Sequence, residues 1–321
     1  MAGMTTANSG HLIRSEIWAN QLKERLIDEL FATGYVDWLS EFPDGNTFTV
    51  PSIGAATVRD YVENDPVTYD AMDTGEFQFS ITEYLSSATY ITKKNLQDGF
   101  YMDRLVASFV PEQARAIMER LESDVWGLQS QQTAANVNAV NGFNHRWVAN
   151  STTPGTADFL QVADFARAKL SLKKANVPMS GLTAIVDPTV AYQLETSTNF
   201  VNFSNNKQWE GIVADGLTSG MRFIKNVYGF DVYESNYLVS DVTETINDGN
   251  AVTATASNAV NMFFSAESNV IPFMGAWRQM PEVDSEYNKD NQRDEYVTTA
   301  RYGVKLYRPE NLVCVIADTA V

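Results

Sequence analysis

Apolar and polar residues alternate most cleanly after Gly75, where Glu76-Phe77-Gln78-Phe79-Ser80-Ile81-Thr82 predicts a strand with one apolar face. Upstream, Thr47-Phe48-Thr49-Val50 and Thr57-Val58-Arg59-Asp60-Tyr61-Val62 supply the partner runs, and Glu63 to Thr74 carries turn chemistry. Residues 43–92 therefore predict one long two-stranded arm. Two runs of roughly 15 residues at about 3.4 Å each would project about 50 Å. A hairpin of that length is marginal alone, so the arm is expected to lie on a second copy of the chain.

Helical periodicity appears on both sides of the arm. Ile13, Ile17, Leu22, Leu26 and Leu30 form a stripe over residues 11–33, with Gly34 as the expected C-terminal stop. This helix leads straight into the arm and reads as a second docking element. Phe100 to Phe109 predicts a short helix that Pro111 breaks, and a long one is expected to start afresh at Pro111 and run to about residue 131. Its stripe is Ala114, Ile117, Met118, Leu121, Val125 and Leu128, while Glu112, Arg115, Glu119 and Glu122 are expected to face away.

Residues 133–156 read as a surface connection, and a third helix is expected over 158–176. Strands are expected at Leu182–Val186, Phe230–Tyr233, Val260–Phe264, Tyr296–Tyr307 and Asn311–Ala317, with a short helix after Asp187-Pro188 and a coreless loop over 240–258. Helices and strands are segregated, which makes the class α+β. No internal repeat is present.

The 321 residues are 44% hydrophobic, enough for a sizeable core. No run reaches the roughly 20 apolar residues of a membrane span, and the first ten residues lack a signal peptide's pattern. The expectation is a protein made and assembled in a cytoplasm, with no membrane partner. Net charge is −17, from 40 acidic and 23 basic residues. That excludes a sequence-reading nucleic-acid binder. It suits a surface that encloses DNA without gripping it.

Catalytic grammar is missing. The chain has no phosphate-binding Gly-Lys-Ser/Thr loop, no Gly-x-Ser-x-Gly elbow and no Cys/His zinc spacing. His145 reads as a loop anchor, the single Cys314 as a buried thiol, and the acids from Glu282 to Glu295 as solvated charge. No enzyme activity, cofactor or metal is expected.

The order of elements resembles the major capsid protein of tailed bacteriophages, the Hong Kong 97-type fold. The resemblance runs from about residue 11 to 317. Gly45–Asp60 looks like the start of that family's extended loop, Leu182–Leu194 and Gly229-Phe230-Asp231-Val232-Tyr233 like its axial domain, and Tyr302-Gly303-Val304-Lys305-Leu306-Tyr307-Arg308-Pro309 like its ending. It implies an N-terminal arm over 1–42 and an extended loop over 43–92. It implies a peripheral domain with a spine helix over 93–155 and 272–307, and an axial domain over 156–271 and 308–321.

The implied function is a virion shell of pentamers and hexamers around double-stranded DNA. An encapsulin-type compartment around a cargo enzyme is the alternative. The type member of the family cross-links a lysine of this loop to a neighbour's asparagine, but residues 43–92 contain no lysine. The chain starts almost at its docking helix, so a separate scaffolding protein is expected, with a portal and a possible decoration protein. The arm holds eight acids, from Asp44 to Glu83, against Arg59 alone. Phe77, Phe79 and Ile81 are expected to face a neighbouring copy whose counter-charges include Arg104, Arg115 and Arg120. Ile17, Leu22 and Leu26 are the expected contacts of the N-terminal helix.

Overall fold

The computed structural model describes residues 30–39, 47–53, 58, 60, 63, 74–98, 102–132, 139–149, 155–196, 223–246 and 251–320. Strands β1 (Val36–Trp38), β2 (Thr47–Ile53), β3 (Thr74–Ser80) and β4 (Glu83–Thr92) precede helices α1 (Lys93–Asp98) and α2 (Met102–Gly127). The short strands β5 (Ala139–Val140) and β6 (Phe143–Asn144) lead to β7 (Arg146–Val148), α3 (Val162–Lys174), β8 (Leu182–Val186) and α4 (Pro188–Thr196). Next come β9 (Phe223–Val227), β10 (Phe230–Glu234), β11 (Glu244–Thr245), β12 (Ala251–Val252) and β13 (Asn258–Ser265). β14 (Phe273–Asn288), β15 (Arg293–Leu306) and β16 (Leu312–Asp318) close the chain.

Two sheets organise these elements. The larger has the order β7-β16-β13-β8-β10-β9, the other β1-β14-β15-β4. Strands β8, β13 and β16 of the six-stranded sheet are buried on both faces, so they read as continuous apolar runs. Met262, Phe264, Cys314 and Ile316 point into a core shared with α2 and the four-stranded sheet. Their alternates Phe263, Val313, Val315 and Ala317 point into a second core under α3 and α4, built on Phe165, Leu172, Val190 and Phe230. Tyr228 and Gly229 take the left-handed conformation between β9 and β10 (φ 52° and 92°), the geometry a two-residue hairpin turn requires.

Pro111 does not break the second helix. It lies inside the 26 residues of α2, at the cost of the bond its missing N–H would have made to the Ala107 carbonyl. Tertiary burial outweighs that loss, because Ile117, Leu121 and Val125 pack into the body. The stripe is as expected, but Glu122 does not face away: it is 1% exposed. Gly34 does not end a helix in a left-handed cap; it sits within a 3-10 turn, Ala32–Tyr35. Residues 11–29 of the expected N-terminal helix lie outside the described residues.

Two stretches taken for surface loops carry core. Arg146–Val148 is a fully buried edge strand beside β16, and Ile246 and Val252 of the 240–258 loop enter the main core. The longest strand, β14, has no counterpart in the sequence-based reading. Its acidic half alternates Glu282, Asp284 and Glu286 with Val283, Ser285 and Tyr287, and Pro281 falls within the register shift between Gln279 and Glu282 of its pairing with β15. Proline has no ladder donor and is accommodated there.

Candidate assembly surface

β2 and β3 form the hairpin of the arm, in register from Thr47↔Ser80 to Ile53↔Thr74. Seven paired residues span about 24 Å. The second expected partner run, Thr57–Val62, lies outside the described residues apart from Val58 and Asp60. The end of the predicted arm behaves differently. Glu83–Thr92 is an edge strand of the four-stranded sheet, paired with β15 from Glu83↔Tyr302 to Thr92↔Arg293. Its half-buried alternation reports α2 beneath the sheet, not a neighbouring copy.

The root of the hairpin is seated on its own chain. Tyr302 of β15 donates its hydroxyl to Asp124 of α2, 2.6 Å away, so the next residue, Gly303, faces the opposite side of the sheet. There the chain leaving β3 crosses it. Phe79 and Ile81 are 0% and 4% exposed, packed with Ala276, Leu39 and Phe77. Phe77 meets Tyr307 edge-on at 4.9 Å between ring centroids, and Lys305 stands 4.8 Å over its ring. The same ammonium donates to the Gln78 carbonyl at 2.8 Å.

Phe79 and Ile81 thus do not face a neighbour, and Phe77 is largely taken up by its own body. The alternation identified an apolar face correctly; the sheet of the same chain supplies the cover, and no local signal in 76–82 distinguishes the two. Val58, farther along the arm, is 93% exposed.

Two of the candidate counter-charges, Arg115 and Arg120, pair along their own helix. Arg120 Nε lies 3.0 Å from Asp124 and Arg115 Nε 3.6 Å from Glu119, both one helical turn apart on α2. Arg104 belongs to the first turn of α2. Arg59, Ile17, Leu22 and Leu26 lie outside the described residues.

Buried polar groups join the parts of the body, and sequence patterning did not reveal them. Arg146, 1% exposed, reaches Glu244 at 2.7 Å and the side chain of Gln129, just after α2, at 2.7 Å. It couples the long helix to the six-stranded sheet. His145 is buried with Nδ1 3.1 Å from the Phe143 carbonyl, and desolvation lowers its pKa. Burial pushes the Cys314 thiol up to about 11, which makes it an inert core residue.

No group of three or more His, Cys, Asp or Glu side chains could hold a metal ion among the described residues. Glu282, Asp284 and Glu286 share one face of an exposed strand. No described helix is long and apolar enough to cross a membrane.

The fold is that of solved capsid shells. The cyanophage Pam1 capsid subunit matches at TM-score 0.71 with 14% identity over 100% of both chains. Cyanophage P-SCSP1u gives 0.71 at 15% identity, covering 95% of this chain and 93% of that one. Mycobacterium phage Che8 gives 0.66 at 19% identity, covering 94% and 96%. No curated protein matches the chain significantly in sequence. A family model described as phage capsid protein matches residues 75–315.

The chain belongs to the phage capsid protein family. Its Hong Kong 97-type, α+β architecture agrees with the resemblance read from the sequence. In this capsid protein the matched span begins in β3 and ends in β16, so it includes the long helix, the six-stranded sheet up to β16 and the four-stranded sheet apart from β1.

Proposed function

We propose that this capsid protein assembles through its arm into pentamers and hexamers that close an icosahedral shell around a double-stranded DNA genome. The observation that carries the reading is the seating of the β2–β3 hairpin. Its root is fixed to the sheet face opposite α2, while Val58 beyond it is 93% exposed. A rigid root with an apolar, acidic outer part is an element built to bind outside its own body.

Docking then uses residues beyond the root: Val58 and Arg59, with the acids from Asp60 to Asp73, against cations of the next copy. Arg104, Arg115 and Arg120 remain the proposed cations on α2, with Ile17, Leu22 and Leu26 as contacts of the N-terminal segment. Burial of apolar area at about 25 cal/mol per Å² drives each contact, and ordering costs reduce it.

The division into N-terminal arm (1–42), extended loop (43–92), peripheral domain (93–155, 272–307) and axial domain (156–271, 308–321) belongs to the same proposal. So do a separate scaffolding protein, a portal, a decoration protein, assembly in the host cytoplasm and the absence of catalytic activity. A chain of net charge −17 suits a shell that encloses DNA without sequence-specific contacts.

The test is expression of the chain with and without its neighbouring genes, followed by electron microscopy. Closed shells that require a neighbouring scaffold gene support the proposal. A small discrete oligomer under both conditions overturns it, and shells filled with a cargo enzyme move it to a compartment.

A further inference from the structure

Glu122 is a buried acid without a cation. It is 1% exposed, and no lysine or arginine pairs with it among the described residues. Its partners are N–H donors. Oε2 accepts from the Ala32 backbone amide at 2.8 Å, and Oε1 from the Trp126 indole at 2.9 Å.

The surroundings are aromatic: Phe31 lies 5.7 Å from Trp126 and 6.3 Å from Tyr233 between ring centroids, and Tyr35 lies 6.4 Å from Trp126. Burial raises the Glu122 pKa, and its bonds to the Ala32 and Phe31 backbone and to Trp126 oppose that.

Burying a carboxylate without a counter-ion is costly, and an apolar residue of similar size would fill the same space without that cost. What the carboxylate offers is two acceptor oxygens for donors that converge from two segments. A glutamine has one acceptor, and its NH2 would meet one of those donors head-on. The group is therefore matched to the junction, not to the core in general. That junction is where residues 1–29, with Ile17, Leu22 and Leu26, give way to the body. Ala32 is held to a helix residue 90 positions later in sequence.

We propose that Glu122 is the positioning residue for the N-terminal arm. It fixes the backbone at Ala32 and so sets the direction from which residues 1–29 reach a neighbouring copy. The inference rests on the capsid reading for its consequence, but the latch itself is independent of it.

The test compares the full chain with Glu122→Gln and Trp126→Phe, using hydrogen exchange, thermal unfolding and shell yield by electron microscopy. Glu122→Gln is expected to speed exchange of the peptide spanning residues 30–39 at least tenfold and to reduce closed shells at least tenfold. Its unfolding midpoint should stay within a few degrees of the parent's. Trp126→Phe keeps the Ala32 bond and is expected to retain protection of 30–39 and to form shells.

Unchanged exchange in Glu122→Gln overturns the latch. Faster exchange with normal shells overturns its role in positioning the arm. If Glu122→Gln does not fold, Trp126→Phe decides: protected 30–39 with shells supports the proposal, and protected 30–39 without shells overturns it. Should the parent chain form no shells with any neighbouring gene, the proposed function fails, and the exchange result still judges the latch.

Discussion

A Cβ built on Gly303 would stand 2.8 Å from the Ser80 carbonyl oxygen and 3.0 Å from the Ile81 Cα. The chain leaving the arm crosses β15 in backbone-to-backbone contact, and only a residue without a side chain permits it. Because the obstructing atoms are backbone, no rotamer change relieves the clash. Gly303→Ala is expected to lift the arm root from the sheet and destabilise the protein by about 1–3 kcal/mol. Urea unfolding of the unassembled chain measures this, and an unchanged midpoint would show that the crossing is not tight.

Root and outer arm should respond differently to truncation. Phe79 is fully buried and Val58 is 93% exposed. Phe79→Ala should cost about 3–5 kcal/mol of subunit stability through the cavity it leaves. Val58→Ala should stay within about 0.5 kcal/mol of the parent, yet lower the yield of closed shells. Equal effects on shells and subunit stability from both variants would dissociate the arm from docking. Alanine at Phe77, Phe79 and Ile81 together is not a clean test of assembly, since it removes the arm's own foundation.

What could be read from the sequence followed periodicity. Strands β8, β13 and β16 declare themselves as apolar runs because both faces of the sheet are covered there, and α3 carries Lys173 and Lys174 in its last turn, where they favour a helix end. Periodicity fails where a single residue carries the information. Pro111 inside α2 lost to the packing of Ile117, Leu121 and Val125. Glu122 looked like solvated charge because its partner, Ala32, is 90 residues away in sequence. Phe79 and Ile81 showed an apolar face whose cover could have been any surface. β14 was hidden by its acids, although their alternation with Val283 and Tyr287 was visible.

Assembled shells should carry no covalent links from the arm. Residues 43–92 contain no lysine, so no amine is available there for an amide bond to a neighbour, and Cys314 is buried. Heated, denaturing gels of purified particles should show one band near 35.7 kDa. A ladder of higher bands would require linkage chemistry from another part of the chain.

His145 gives the body a defined acid sensitivity. Desolvation lowers its pKa from 6.5, so the folded state binds the proton less readily than the unfolded chain. The stability this group supports is complete above about pH 6.5 and is lost as pH falls below it toward the depressed folded value. Glu122 and Asp164 act in the opposite sense, since burial raises both: their folded forms hold protons more tightly, so they favour the fold as pH falls. The observable is therefore a difference of slopes. In urea unfolding between about pH 7.5 and 5.5, the parent should lose up to about 1.4 kcal/mol per pH unit more than His145→Phe across the window. The variant's lower stability at pH 7.5, from the lost bond to the Phe143 carbonyl, does not affect that slope. Parallel profiles would mean that the imidazole titrates alike in both states and that its burial carries no cost.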